Sequence, residues 1–207
     1  MDEAIHEEMT REALGTRLSS RALANIIAAN LKQDSWIGLL GHDEYHFDNN
    51  AFDESYRYIN EQRGYVLASL LLAVGRPAWT AFGRLTHSVQ DFYAHTNYVS
   101  LWLDEYKQAP PAPPEIDPLR MDLIKSSALY SAKVYLPMDA LYFVPVLQKL
   151  SLAFLPRDSH AWMNLDSPGQ GPQFEYARAA AVKRTVYEFE LLEKLLLPEA
   201  FSRFTDI

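Results

Sequence analysis

Within residues 83–98, GRLTHSVQDFYAHTNY, the side chains of His87, Asp91 and His95 are spaced four apart. A helix turns about 100° per residue, so each step of four rotates the side chain by only about 40°, and all three project from one side. Imidazole nitrogens and a carboxylate are ligands that a divalent zinc ion accepts, and a carboxylate between two histidines can bridge two ions. One face of one helix can therefore grip a metal. Val89, Phe92, Tyr93, Tyr98, Leu101 and Trp102 make the segment apolar around much of its circumference, which predicts a central helix. Burying charge without a partner is costly, so a buried trio calls for a metal or a hydrogen-bond network.

Further ligand types stand near carboxylates elsewhere. The chain has six histidines, and LLGHDEYHFDNNAF offers His42 and His46 at helical spacing, with Asp48 two residues beyond His46. Asp48 is the stronger ligand candidate, His46 a ligand or a supporting donor, and His42 the weakest; helix capping and turn chemistry are the alternative for Asp48 and Asn49. His6, in IHEEMTREAL, reads alone as a surface histidine among glutamates. His160 lies in DSHAWMNLDSPGQGP, a stretch of turn formers that also holds Trp162 and Asp166, and such loops are where sites are often built.

These residues need helices to position them. Apolar residues recur at three and four spacing over 3–14, 17–32, 52–74, 79–106, 119–135, 140–154 and 172–197, and no period-two strand emerges. The expectation is an all-α, multi-helix bundle in a single domain over 1–207, with a stiff proline-rich connector near 108–118. A hydrophobic content of 48% with 13% aromatics supplies one substantial core.

Composition narrows the chemistry. With no cysteine, disulfides, thiolate zinc sites and cysteine nucleophiles are excluded, so any metal is held by nitrogen and oxygen. The formal charge of −8 disfavours nucleic acid as a partner, although bound zinc would reverse the sign locally. The acidic, amphipathic start MDEAIHEEMTREAL is not a secretory signal, and the apolar stretches 66–74 and 136–155 are shorter or more interrupted than the ~20 residues of a membrane span. The expected location is the cytoplasm.

Together, IHEEMTREAL, GHDEYHFDN, GRLTHSVQDFYAHTNYV and SHAWMNLDSPGQGPQFEYARAAAVKRT resemble the superfamily of Het-C-like proteins, zinc-dependent phospholipases C and single-strand nucleases; HSVQDFYAHTN is the most specific element. The resemblance implies an all-helical fold of zinc-dependent phospholipase C type around one to three zinc ions, with a metal-activated water attacking a phosphodiester phosphorus. Residue by residue, it implies His6 as the N-terminal histidine ligand, Asp48 as the loop carboxylate, and His87 and Asp91 as the central pair, with Asp91 bridging. His95 would hold a second ion with His160, and His46 would replace a family histidine that has no counterpart between residues 49 and 86. Asp48 or Asp91 would orient the water. The family's amino-terminal tryptophan has no match in MDEAIH, and its late histidine–glutamate pair is absent, with Asp166 or Glu175 as substitutes.

The resulting expectation is a phosphodiester hydrolase acting on a phospholipid or a smaller phosphodiester, with possible peripheral membrane contact. Two alternatives stand beside it. One is a Het-C-like interaction protein with a structural metal, at a membrane or with a partner protein. The other is an HD-type phosphohydrolase, for which His42 and Asp43 would be the adjacent metal pair.

Overall fold

From Leu85 to His95 every residue is buried, so this segment cannot be a surface helix with one apolar stripe and must be enclosed on all sides. The computed structural model describes residues 1–35, 38, 41–107, 109–142, 144 and 146–207. Its helices are α1 (Glu3–Leu14), α2 (Ser20–Leu31), α3 (Asp43–His46), α4 (Phe52–Leu71), α5 (Gly75–His95), α6 (Tyr98–Asp104), α7 (Met121–Ile124), α8 (Met138–Tyr142), α9 (Gln148–Phe154), α10 (His160–Met163), α11 (Gln173–Leu195) and α12 (Pro198–Thr205). The fold is all-helical; among the described residues the only β pairing is two isolated bridges.

Helix α5 is the axis, with α2, α4 and α11 packed around it. Met9 and Leu14 of α1, Ile26 of α2, Leu70 of α4, Phe82 and Leu85 of α5 and Phe204 of α12 share one core, each contributing roughly 1.5–3 kcal/mol of transfer free energy. Local sequence explains several boundaries. Ser19 caps α2 by accepting from the Ala22 amide at 3.1 Å, Gly15 follows α1, and Pro198 opens α12. Gly83 is where α2 crosses α5: a Cβ there would lie 2.3 Å from the Ile26 carbonyl oxygen, so only glycine permits the approach.

Three expected helices differ in the structure. The helix expected over 79–106 divides at Thr96, whose backbone is extended and whose Oγ1 bonds back to the Phe92 carbonyl at 2.6 Å. The returning chain supplies the reason: the Ala132 amide donates to the His95 carbonyl at 2.8 Å, satisfying the helix end that continuation would otherwise have satisfied. For the same reason the helix expected over 119–135 is reduced to α7, because residues 131–134 are drawn out extended. Asn50 Oδ1 accepts from the Ser131 amide and Asn49 Oδ1 from the Val134 amide. The helix expected over 140–154 includes residues 143 and 145, which lie outside the described residues; around them stand the shorter α8 and α9.

The proline-rich connector, apart from residue 108 outside the described residues, is held through its carbonyls. Tyr176 donates to Pro111, Lys183 to Ile116, Tyr98 to Asp117 and Tyr93 to Pro118, all within 2.8 Å. No helix among the described residues is long and apolar enough to cross a membrane.

Candidate metal centre

The lower end of α5 presents His87, Asp91 and His95, and four other segments close over them. The end of α2 runs into Asp34; α3 brings His46; a turn with left-handed backbone at Phe47, Asn49 and Asn50 holds Asp48; α10 opens on His160, and the loop after it brings Asp166. Asparagine tolerates that backbone better than most residues, which is the role of the NN pair. The late loop is fixed by backbone bonds: the His160 amide to Lys133 at 2.8 Å, Leu165 to Ala94 at 3.0 Å, and Asp2 to the Asp166 carbonyl at 3.1 Å.

Two groups result. In the first, ligand atoms of Asp34, His46, His87 and Asp91 all lie within 4.8 Å of one another; in the second, those of Asp48, His95 and His160 do. The two oxygens of Asp91 face different neighbours. Oδ2 is 2.9 Å from His46 Nδ1 and 3.0 Å from His87 Nε2, whereas Oδ1 is 3.2 Å from His6 Nε2 and 2.7 Å from the Met1 amino nitrogen. Asp166 reaches from the second group toward the first, with Oδ1 3.1 Å from His95 Nε2 and 3.2 Å from the Met1 nitrogen, and Oδ2 3.6 Å from His160 Nε2.

A hydrogen-bond relay sets which imidazole nitrogens face inward. Thr185 Oγ1 commits its proton to the Ala181 carbonyl, so it can only accept from Gln90 Nε2, and Gln90 Oε1 is turned toward His6. His6 Nδ1 must then donate to Gln90 Oε1, at 2.7 Å. Asn30 Nδ2 donates to the same Oε1 at 3.0 Å, which points Asn30 Oδ1 at His87 Nδ1, 3.2 Å away, and makes that nitrogen a donor too. His95 Nδ1 donates to the His46 carbonyl at 2.9 Å. His6 and His87 therefore turn Nε2, with its lone pair, toward carboxylates, and His95 turns its Nε2 toward Asp166. This is the outer-shell arrangement that orients metal-ligating imidazoles.

A lone pair facing a carboxylate is repulsive unless a cation lies between them. His6 Nε2 and Asp34 Oδ2 are buried with no hydrogen-bond partner; His6 Nε2 lies 3.2 Å from Asp91 Oδ1, but with the His6 proton on Nδ1 both atoms are acceptors. Orphaned buried acceptors of this kind, with an all-nitrogen-and-oxygen donor set, fit a divalent cation.

The electrostatics point the same way. Burial opposes ionisation of Asp91 and Asp166, yet the Met1 amine and the neighbouring histidines hold both carboxyls well below the usual range; Asp48 is lowered chiefly by His160 and His95 against its burial. Burial pushes His87 down to about 4, and also lowers His6. Burial acts the same way on His160 and His46, but the carboxylates outweigh it: Asp48 and Asp166 hold His160 well above its ordinary 6.5, and Asp91 raises His46. The Met1 amine, despite its burial, is pushed up to about 12 by Asp166, Asp91 and Asp34. Protons thus supply positive charge that the carboxylates demand.

Of the residues singled out in the sequence, His6, His46, Asp48, His87, Asp91, His95 and His160 all meet here. His42 does not: its ring stacks on Tyr45 at 4.3 Å, its Nδ1 contacts Glu44, and neither it nor Asp43 joins either group. Glu175 is exposed on α11, outside both groups, whereas Asp166 is at the centre. Asp34 has no counterpart in the sequence reading. Its only signal is its position one turn beyond Asn30, and Asn30 itself looks like an ordinary helix-end residue.

The family described as the VWA7 N-terminal domain matches residues 2–109, just over half of the 207 residues. The chain belongs to the VWA7 N-terminal domain family. The matched span carries His6, Asp34, His46, Asp48, His87, Asp91 and His95, so the family region holds all of the first group and two members of the second; His160 and Asp166 lie beyond it. No curated protein and no solved structure matches the chain.

Proposed function

We propose that the chain is a metal-dependent phosphodiester hydrolase of phospholipase C type, using zinc and acting on a phospholipid or a smaller phosphodiester. The observation that carries this reading is the pair of adjacent histidine–carboxylate groups, with Asp91 in the first, Asp166 against His95 of the second, and the Nε2 lone pairs of His6 and His87 aimed inward. It also accords with the resemblance of HSVQDFYAHTN to the zinc-dependent phospholipase C superfamily.

Zinc would be held by Asp34, His46, His87 and Asp91, and by Asp48, His95 and His160, and would there supply Lewis acidity to a phosphoryl oxygen and acidity to a water. The chain's own residues do the rest. Asp48 and Asp91, held ionised, are weak bases, so their task is to accept hydrogen bonds and orient the water rather than to store its proton. The Gln90–Asn30 relay keeps His6 and His87 in the tautomers that present Nε2. Asp34, Asp166 and His160 are only partly buried, giving the site an edge at which a substrate can enter.

The test is elemental analysis of the purified protein, followed by turnover of a chromogenic phosphodiester with and without added zinc. Bound zinc and zinc-dependent turnover that is lost in His87→Ala support the assignment. A protein that stays metal-free and inactive in excess zinc overturns it.

A further inference from the structure

Helix α9, QKLSLAF, is inside out. Its buried residue is Ser151, 1% exposed, while Leu150 and Phe154 are 58% and 70% exposed on one face a turn apart. Just before it, Val146 is 87% exposed, and Leu136 lies open at the start of the same excursion. The excursion is nevertheless anchored. Asp139 accepts from the amides of Tyr135 at 2.6 Å and Ala161 at 3.0 Å, stapling its two ends, and Tyr142, Leu155 and Ala161 form a small core beneath it. The apolar face is therefore displayed by a built support.

Charge selects the occupant. In a chain of net −8, residues 140–157 contain no aspartate or glutamate, and their charged side chains are Lys149 and Arg157, both exposed. The Arg157 guanidinium lies 3.8 Å over the Trp162 ring, and Trp162 is the residue type favoured at a headgroup boundary. A second copy of this chain, meeting the face symmetrically, would set Lys149 and Arg157 against their own counterparts. An anionic bilayer instead matches both the apolar side chains and the flanking cations.

We infer that the α9 excursion docks the protein on an anionic phospholipid surface, with Leu150, Phe154 and Val146 entering the headgroup boundary and Lys149 and Arg157 meeting lipid phosphates and carboxylates. Only two residues separate Arg157 from His160, so docking would set the Asp48–His95–His160 edge beside the headgroups. The docking stands whether or not the site is a hydrolase.

The experiment is co-sedimentation of the full chain with phosphatidylcholine vesicles, with and without phosphatidylserine. EDTA is present throughout, so that neither metal bridging nor turnover contributes. The expected result is binding to the phosphatidylserine vesicles that weakens with salt, weakens in Lys149→Glu, and falls by about ten-fold or more in Leu150→Ser/Phe154→Ser. These side chains are exposed, so the variants should keep the wild-type circular dichroism and melting temperature, which are measured alongside. Three outcomes overturn the inference: wild-type protein that stays in the supernatant, vesicle binding unchanged in the double serine variant, or a mass doubling in sedimentation velocity, abolished by that variant, without vesicle binding.

Discussion

Asn30 touches no ligand atom that faces the centre, yet its replacement by leucine should weaken metal binding. Its Oδ1 receives the Nδ1 proton of His87 at 3.2 Å, and that bond keeps Nε2 unprotonated, 3.0 Å from Asp91 Oδ2. In Asn30→Leu, a change of similar volume, Nδ1 loses its acceptor. The proton then moves to Nε2, where Asp91 accepts it; Nδ1 is left a buried acceptor without a donor, which together with the missing bonds to Gln90 and Thr10 costs the apo protein about 2–4 kcal/mol. The metal must now reverse that tautomer and strand the Nδ1 proton without a partner, a cost of roughly 1–3 kcal/mol. This agrees with the ~10–100-fold loss of affinity typical of outer-shell changes. Competition with a chromophoric zinc chelator measures the loss. Asn30→Asp keeps an acceptor toward His87 and should retain more affinity than Asn30→Leu. A folded Asn30→Leu that binds zinc as tightly as wild type would refute the tautomer argument.

Four other perturbations test separate parts of the structure. His95→Ala should lower the metal count without abolishing it, because Asp34, His46, His87 and Asp91 form a group without it, whereas His42→Ala should leave the count unchanged; elemental analysis decides both. Zinc affinity should rise with pH across and above 6.5, with protons released on binding, because His46 and His160 have raised pKa values and are protonated in the metal-free protein below them; calorimetry in buffers of different ionisation enthalpy reads the release. Gly83→Ala should destabilise by about 1–3 kcal/mol in urea unfolding, since its Cβ would lie 2.3 Å from the Ile26 carbonyl oxygen and 2.8 Å from Ala29 Cβ.

The helical pattern was readable where one face repeats without interruption. Expected and observed bounds coincide for Glu3–Leu14, and differ by a few residues for α2 and α11, because apolar residues at three and four spacing are a local property of the chain. The expectations that missed, 79–106 and 119–135, missed for one shared reason. The chain at 130–133 returns to satisfy the end of α5, and no local pattern records a bond from Ala132 to His95.

The same division runs through the site. Sequence alone determined that His87, Asp91 and His95 share a helix face, that the helix is central, and that only nitrogen and oxygen ligands exist. Tertiary structure decided that the trio splits between two groups, that Asp34 and Asp166 complete their surroundings, and that Gln90 and Asn30 choose the tautomers. A fixed rotation per residue encodes one face of one helix. Which loops fall across that face depends on contacts between residues far apart in the chain, such as Leu165 with Ala94, that only the packed fold brings together.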